Sequence, residues 1–389
     1  MPVVLVFVRN FNVSGQSDGP TRSIVNLSRK LVDVNFRIVA SNVGGSDTSD
    51  GRQQVMPQWQ EIDGFKVMDV GRNLRSVRWI KKILSEQRYN LVYLNSFFDP
   101  FLTLLPLLIL GFSQRSGHNV IVAPRGELFA SALASGRWKK RFYLTVIGVF
   151  DVYEGIIFQA ASAHERKVIR KHINSAGDDI RVVSDIVTLG AFSGCSEKFR
   201  ASGSLRLVYL SRITPAKNLI YALEIIGKSN VQVSLDIYGE IVDSMYWRLC
   251  EKYITKHDLG DRVQYRGEVD YGDVHQLVGT YDAFILPTKA ESFGHAIGEA
   301  LSVGTPVIIS DATPWQGLED EGAGIGIALL EQNKFVTYLS WLSSLSEVEY
   351  RHLRIQARRF VVEMMSNPRV LADNKNLILD YVRDQQVVS

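Results

Sequence analysis

Residues 283–311 read AFILPTKAESFGHAIGEALSVGTPVIISD, with an apolar segment at each end and a polar, glycine-containing segment between them. The pattern predicts a strand over Ala283–Leu286, a helix that begins near Ser292 or Phe293, and a second strand over 305–310. A strand, a helix and a second strand in this order form a parallel sheet, whose ligands bind at the carboxyl ends of the strands. The N–H groups at the start of the helix would face that edge and attract phosphate.

Two glutamates of this stretch, Glu291 and Glu299, are eight residues apart. This spacing is about 2.2 helical turns and places them near the same face of a helix. One carboxylate can then meet the phosphate-bearing end of a ligand while the other reaches a neighbouring hydroxyl-rich part, so the pattern indicates a nucleotide-sugar site. The alternative for Glu291 is a buried salt bridge, and His295 is either a ligand contact or a structural residue.

The composition is typical of a soluble globular protein, with 389 residues, 46% of them hydrophobic and 22% charged. This length favours two domains over one. The net charge of +3 is too small to indicate a nucleic-acid partner. Cys195 and Cys250 are isolated, which supports neither a disulfide framework nor a cysteine-rich metal site and favours a cytoplasmic location. The first residues, MPVVLVFVRN, lack the features of a signal peptide and predict a buried strand.

Apolar segments of strand length alternate with helical patterns in two series, which predicts an α/β fold with two doubly wound domains and a cleft between them. The small and polar segment 191–204 predicts a linker. We therefore expect an N-terminal domain over 1–195, a C-terminal domain over 205–365, and a C-terminal helix over 366–389 that packs back toward the first domain. The predicted strands are 3–9, 37–41, 91–95, 120–123 and 156–160 in the first domain and 205–210, 231–238 and 263–266 in the second, besides the two named above.

Two basic residues, Arg212 and Lys217, follow the first predicted strand of the second domain in the segment SRITPAKN, where Pro215 predicts a helix start. Basic side chains at a helix N-terminus oppose the helix dipole, so a purely structural role explains them poorly. A bound diphosphate reverses the sign of that interaction, because Arg offers a rigid fork of donors and Lys a point charge. We predict that both bind a diphosphate; the alternative is a solvated surface pair.

The first predicted strand is followed by a loop with Gly15 and Gly19, before a helix predicted to begin near Thr21. Glycine lets the backbone approach a ligand closely at a helix N-terminus. The segment lacks the G-x-G-x-x-G fingerprint of dinucleotide-binding folds, and the alternative is a plain loop.

Further polar residues end two other strands of the first domain. Arg125 and Gly126 follow an apolar strand and Pro124, which indicates contact with substrate or phosphate. Asn95 ends another strand, where its side chain either hydrogen-bonds an acceptor substrate or caps the next segment.

One apolar run and one basic run bear on membrane contact. The run 101–112 is too short for a bilayer span, which needs about 20 residues, and predicts a buried helix. The segment RWKKR at 137–141 predicts a solvated helix face, or, with Trp138, a surface attracted to anionic lipid head groups.

The sequence contains no D-x-D triplet and no cluster of His, Asp and Glu with metal-ligand spacing, so we expect neither a metal nor another cofactor. Stabilisation of a leaving diphosphate would then fall to Arg212, Lys217 and the helix dipole.

These segments resemble glycosyltransferase family 4, retaining enzymes of the GT-B architecture. The resemblance is carried by ESFGHAIGE, SRITPAKN and GTPVIISDATPW in the second domain, and covers nearly the whole chain. The first-domain segments APRGEL and GRWKKR resemble a branch that builds cell-surface polysaccharides such as O-antigen. The resemblance implies two Rossmann-like domains, with the nucleotide sugar bound mainly by the second and the acceptor by the first.

The resemblance also implies a role for each matching residue. Arg212 and Lys217 would contact the donor diphosphate, with Glu291 as the third catalytic residue, holding the sugar hydroxyls. Glu299 would take the ribose hydroxyls. The remaining donor contacts would be Gly19, Val269 near the base, and Phe293, Gly294, His295 and Ala296 at the helix start; the acceptor side would include Asn95, Arg125 and Gly126.

The predicted activity is metal-independent transfer of a sugar from a nucleoside diphosphate sugar to a hydroxyl of a saccharide or lipid-linked acceptor, with retention. We expect it in the cytoplasm, either free or in peripheral contact with the inner membrane face. Two alternatives are a nucleotide-sugar epimerase, which needs no acceptor, and a non-catalytic subunit that binds the nucleotide sugar without turnover.

Overall fold

The computed structural model describes residues 1–13, 18–44, 57–86, 88–112, 119–134, 137–149, 152–173, 179–192 and 203–383. The chain forms two compact units, one of Met1–Ile186 with Pro368–Ser389 and one of Val187–Asn367. Each contains one mainly parallel sheet with helices between most successive strands, which confirms the predicted α/β fold with two Rossmann-like units. Gly15 and Cys195 lie outside the described residues.

In the first unit, the sheet formed by the described residues has eight strands. These are β1 (Val3–Phe11), β2 (Asn35–Val43), β3 (Gln60–Ile62), β4 (Phe65–Asp69), β5 (Leu91–Leu94), β6 (Asn119–Val122), β7 (Ile157–Ala160) and β8 (Ile180–Val182). Their order is β3-β4-β2-β1-β5-β6-β7-β8, and only the β3–β4 pair among them is antiparallel. Because β1 pairs with β2 on one side and β5 on the other, the strand order reverses at the carboxyl end of β1.

Helices of the first unit connect these strands. They are α1 (Gly19–Lys30), α2 (Leu74–Glu86), α3 (Leu105–Phe112, preceded by a π-helical turn over Pro100–Leu104), α4 (Ala130–Ala134), α5 (Arg137–Val149) and α6 (Ala163–His172). The first of these begins two residues before the predicted start near Thr21. The reason is Asp18, whose carboxylate accepts a hydrogen bond of 2.9 Å from the Thr21 amide and so caps the helix, with Pro20 in its first turn.

The second unit contains the other sheet. Its strands are β9 (Ser204–Leu210), β10 (Gln232–Tyr238), β11 (Val263–Tyr265), β12 (Ala283–Leu286), β13 (Val307–Ser310) and β14 (Gly324–Ile327); its helices are α7 (Leu219–Lys228), α8 (Ser244–Lys256), α9 (Val274–Val278), α10 (His295–Ser302), α11 (Gln332–Ser344) and α12 (Glu347–Ser366). The strand order is β11-β10-β9-β12-β13-β14, with parallel pairing throughout the described strands. The order therefore reverses at β9, which lies between β10 and β12.

The stretch that begins at β12 folds largely as its pattern predicts. The strand Ala283–Leu286 has the predicted bounds, and β13 begins two residues after the predicted position. The helix begins at His295 instead of near Ser292 or Phe293. The physical reason is Gly294, whose φ of 85° is left-handed, so the right-handed helix cannot extend to earlier residues.

The chain returns to the first unit in its last helix, α13 (Pro368–Arg383). Leu377 and Ile378 of this helix are buried in the same core cluster as Val4 and Val6 of β1. The C-terminal helix thus completes the core of the unit that the N-terminal strand begins.

Gly298 in α10 permits close packing, since a Cβ atom there would lie 2.6 Å from Val187 Cγ2 and 2.8 Å from a Trp315 ring carbon. We expect Gly298→Ala to lower the free energy of unfolding by about 1–3 kcal/mol through overpacking, although alanine is the better helix former. The control is Gly326→Ala, because a Cβ there meets no atom within 4 Å. Equal unfolding midpoints of the two variants in urea would contradict this packing.

Candidate active site

The loops that follow β9 and β12 lie side by side, because these two strands are neighbours at the reversal of strand order. We call residues 211–218 the β9–α7 loop and residues 287–294 the β12–α10 loop. Ligands of open α/β sheets bind at this position. The first loop carries Arg212 and Lys217, and the second carries Glu291.

Lys217 and Glu291 form an ion pair in which Nζ donates to Oε1. Their side chains are 18% and 10% exposed, so the charges are largely but not wholly removed from water. The structure therefore brings together two predicted site residues that are 74 positions apart in the sequence. The salt bridge considered as the alternative for Glu291 does form, and its partner is the predicted diphosphate-binding lysine.

Backbone and side-chain hydrogen bonds hold Lys217 in place. The Tyr209 hydroxyl donates to the Lys217 carbonyl at 3.1 Å. The next residue, Asn218, has a left-handed φ of 61°, and its amide group donates to the Pro287 carbonyl at 3.0 Å. The Lys289 amide donates to the Ala216 carbonyl at 2.8 Å. These bonds join the two loops directly, so the position of the lysine depends on both strands.

Glu291 is fixed from the other side, by the chain that follows β13. Its backbone amide donates to the Ala312 carbonyl at 3.0 Å. The Ser310 hydroxyl, at the end of β13, donates to the Thr288 carbonyl at 2.5 Å. The β12–α10 loop is thus held between its neighbours on both sides.

The N-terminus of α10 follows this loop and has no side-chain cap. Gly294 at the cap position has the left-handed backbone described above, and a Cβ atom there would lie 2.9 Å from Ile297 Cδ1. Phe293 is buried, and its carbonyl accepts a bond of 2.6 Å from the Trp315 indole. The Trp315 indole therefore holds the residue just before the helix cap in place. A helix start without a side-chain cap is suited to an anion.

His295 and Glu299 lie one helical turn apart in α10, and both are buried, at 7% and 1% exposure. The His295 ring packs edge-on against Phe293 at 4.9 Å between centroids. Their contacts with donor sugar and ribose stay predictions, as does the backbone contact of Ala296.

Two other predicted donor contacts lie at the same sheet edge. Arg212 is exposed, two residues beyond β9. Val269 is half-buried and follows β11 after Gly267, which has a φ of 85°. Nearby, the pKa of Glu268 is raised by partial burial and by the neighbouring carboxylate of Glu240.

In the first unit, the predicted site residues Asn95 and Arg125 belong to a separate network centred on the Arg125 guanidinium. The Arg125 side chain, 6% exposed, forms an ion pair of 2.6 Å with Asp185 and donates to the Asn95 side-chain oxygen at 2.7 Å. Arg125 thus has internal partners that its sequence position did not reveal, and its predicted acceptor contact stays a prediction. Gly19 is the first residue of α1, and the Gly126 amide donates to Glu165 at 2.6 Å.

Sequence reasoning missed Asp185, Glu165 and Asn218. Burial raises the pKa of the Glu165 carboxyl to about 7, although hydrogen bonds from the Ala161 and Gly126 amides lower it. The signal for Asn218 was an asparagine directly before the apolar helix LIYALEII, since asparagine tolerates the left-handed conformation. Asp185 had the weaker signal of one acid within the apolar segment VVSDIV.

Among the residues that the structure describes, no group of three or more His, Cys, Asp and Glu side chains is arranged to hold a metal ion.

A model of the family "Glycosyl transferases group 1" matches residues 196–356, which include both loops and α10. The chain is a glycosyltransferase. Its fold is GT-B: it is similar to HepE of Anabaena, crystallised in complex with UDP and glucose, with a TM-score of 0.73 and 15% identity over 96% of this chain and 97% of HepE.

Two curated relatives are similar in sequence to this glycosyltransferase. One is the "Uncharacterized 41.2 kDa protein in cps region" of Klebsiella pneumoniae, 22% identical over 68% of this chain and 74% of that protein. The other is the GDP-mannose:cellobiosyl-diphosphopolyprenol alpha-mannosyltransferase of Xanthomonas campestris, 28% identical over 54% of each chain. The match to the mannosyltransferase thus spans about half of its length.

We expect Gly294→Ala to weaken binding of UDP or GDP, measured by calorimetry, because the added Cβ displaces Ile297 or the amide tip of α10. The loss should be about tenfold, or about 1.4 kcal/mol, within the range of helix-terminus interactions. The control is Gly317→Ala, which introduces the same left-handed strain at a φ of 77° but meets no atom within 4 Å. Equal affinities of the two variants would show that the tip of α10 does not bind the nucleotide.

Proposed function

We propose that this glycosyltransferase moves a sugar from a nucleoside diphosphate sugar to a hydroxyl of a lipid-linked saccharide, with retention of configuration and without a metal, as in glycosyltransferase family 4. The observation that carries the proposal is the Lys217–Glu291 ion pair beside the start of α10, at the carboxyl ends of β9 and β12. The pair and the helix start together place a cation, a carboxylate and a helix N-terminus without a side-chain cap within one small region.

These groups suit the separation of charge in sugar transfer. As the donor C–O bond breaks, positive charge develops on the sugar and negative charge on the leaving diphosphate. Lys217, Arg212 and the tip of α10 would stabilise the diphosphate. Glu291 would accept hydrogen bonds from the sugar hydroxyls, and its pairing with Lys217 keeps both side chains in position before the donor binds. The leaving phosphate would take the proton of the acceptor hydroxyl on the same face.

The comparisons support a saccharide acceptor linked to a lipid diphosphate. The name of the Xanthomonas relative specifies GDP-mannose as donor and a cellobiosyl-diphosphopolyprenol as acceptor. The Klebsiella relative is named for the cps region, and HepE was crystallised with UDP and glucose. A role in the synthesis of a cell-surface polysaccharide, with O-antigen as one candidate, agrees with these names.

Lys217→Met and Glu291→Gln should each lower kcat for sugar transfer by roughly 10²–10³-fold, the size of effect seen when a group that stabilises transition-state charge is removed. We also expect Lys217→Met to weaken UDP or GDP binding, whereas Glu291→Gln keeps it, because the glutamate contacts the sugar. The donor is first chosen by a thermal-shift screen of UDP-, GDP- and dTDP-sugars. Lys252→Met, on the exposed face of α8, is the matched control.

The same assay separates the alternatives. Rates of sugar transfer equal to the wild type in both Lys217→Met and Glu291→Gln would show that this is not the active site. Conversion of the donor sugar without acceptor would indicate an epimerase. Tight nucleotide binding without turnover on any polyprenyl-diphosphate saccharide would indicate a non-catalytic subunit.

The exposed face of α5 supports contact of the first unit with a membrane surface. Trp138 and Phe142, one helical turn apart, are 73% and 69% exposed. Lys139 and Arg141, which lie between these two residues in the sequence, are also exposed. The Lys139 Nζ atom lies 5.5 Å from the centroid of the Trp138 ring. The helix sequence RWKKRFYLTVIGV contains no acidic residue. Exposed aromatic residues beside basic ones are typical of surfaces that bind anionic lipid. In the part of the chain that the structure describes, no helix is long and apolar enough to cross a bilayer.

The full-length protein should co-sediment with vesicles containing phosphatidylglycerol but not with phosphatidylcholine alone, and the double variant Trp138→Ala/Phe142→Ala should lose most of this binding. Trp341→Ala on α11, where the side chain is 44% exposed, is the control for loss of an exposed tryptophan. Equal sedimentation of the double variant and the wild type would show that α5 is not the docking surface.

A further inference from the structure

Arg125 adopts a backbone conformation that non-glycine residues rarely occupy. It follows β6 with a φ of 53°, and Gly126 continues with a φ of 79°. Such strain persists only where the surrounding contacts determine it, and it is concentrated at functional sites. The left-handed turn directs the Arg125 side chain into the first unit.

The guanidinium binds three groups from two different strand ends. Nε donates to the Asn95 side-chain oxygen at 2.7 Å, Nη1 to the Asp185 carboxylate at 2.6 Å, and Nη2 to the Tyr93 hydroxyl at 2.8 Å. Tyr93 lies in β5 and Asn95 directly follows that strand, whereas Asp185 follows β8. One planar group thus links β5 and the residue after it to the segment that follows β8.

Two of these partners extend the network to α1. The Asn95 side chain donates to the Pro20 carbonyl at 2.7 Å, and the Ser23 hydroxyl donates to the second oxygen of Asp185 at 2.7 Å. Both contacts lie in the first turns of α1, which starts at Gly19. The position of this helix start therefore depends on the orientation of the Arg125 fork.

Asp185 also lies next to Ile186, the last residue of the first unit before the chain continues into the second. The Asn26 side chain donates to the Ile186 carbonyl, and the Asn374 side chain of α13 donates to the Ser184 carbonyl, both at 2.8 Å. The departing segment 184–186 is thus bound to α1, to α13 and to Arg125.

This network is better explained as a means of fixing the positions of the segments it joins than as a contribution to the free energy of unfolding. The Arg125 and Asp185 side chains are only 6% and 5% exposed. Buried ion pairs are often no more stabilising than well-packed apolar residues, because both charges lose their hydration. Arginine differs from lysine here, since only its rigid fork can hold three partners at fixed angles.

We propose that Arg125 is a positioning residue for sugar transfer: its guanidinium fixes the start of α1 and the loop after β5 relative to the segment that leads into the second unit. This role rests on the proposed function. It acts through Asn95 and Asp185, so substrate contact with the arginine is not required.

The test compares Arg125→Lys with Gln159→Ala. Gln159 accepts a hydrogen bond from the same Tyr93 hydroxyl and donates to the Val183 carbonyl, but neither of these bonds joins it directly to α1 or to Asp185. For Arg125→Lys we expect kcat to fall at least tenfold while the affinity for UDP or GDP, bound mainly by the second unit, changes less than threefold. Each variant is assayed as many degrees below its own Tm as the wild type is below its Tm. Under these conditions the Gln159→Ala control should keep kcat within threefold of the wild type.

A second readout is hydrogen exchange at the amides of Arg22 and Ser23, in the first turn of α1. Arg125→Lys should accelerate it at least tenfold, and Gln159→Ala should not. Unchanged exchange or unchanged kcat in Arg125→Lys would overturn the proposal, as would an equal loss of kcat in the control. If the wild type transfers no sugar, the proposed function fails, and hydrogen exchange still decides whether Arg125 holds the start of α1.

Discussion

The arrangement of the candidate site depends on the ion pair between Lys217 and Glu291. The pair exists because β9 and β12, which are far apart in the sequence, are neighbours in the sheet. Each charge alone would be costly to hold in a partly buried position, and together they are compensated before any ligand arrives. Under the proposed function, a diphosphate would compete for the lysine, and sugar hydroxyls for the carboxylate, without a large rearrangement of either loop.

Both units use the same structural principle with different chemistry. In each sheet the strand order reverses at the first strand, β1 or β9, and the polar residues gather at the carboxyl ends nearby. In the second unit these residues lie beside the start of α10, which has no side-chain cap. In the first unit the charge of Arg125 is paired with the carboxylate of Asp185. Under the proposed function, the first unit would hold loops in place and the second would meet an anion.

Much of the fold and part of the site could be predicted from the sequence. The period of the apolar segments placed β12 correctly, and the sequence assigned Lys217 and Glu291 to one donor site without predicting that they pair with each other. The start of α10 was wrong by two to three residues, because the left-handed backbone of Gly294 is not visible in hydrophobic periodicity. The partners of Arg125 could not be predicted, since Tyr93, Asn95 and Asp185 meet only through the tertiary packing of β5, β6 and the segment after β8.

Under the proposed function, the Lys217 ammonium and the tip of α10 receive the same pyrophosphate. The most direct measurement is a crystal structure of the full chain with UDP or GDP bound. We expect the β-phosphate within about 3 Å of Lys217 Nζ and of a backbone amide at the start of α10, the ordinary length of such hydrogen bonds. A nucleotide bound elsewhere, with neither group in contact with phosphate, would contradict it.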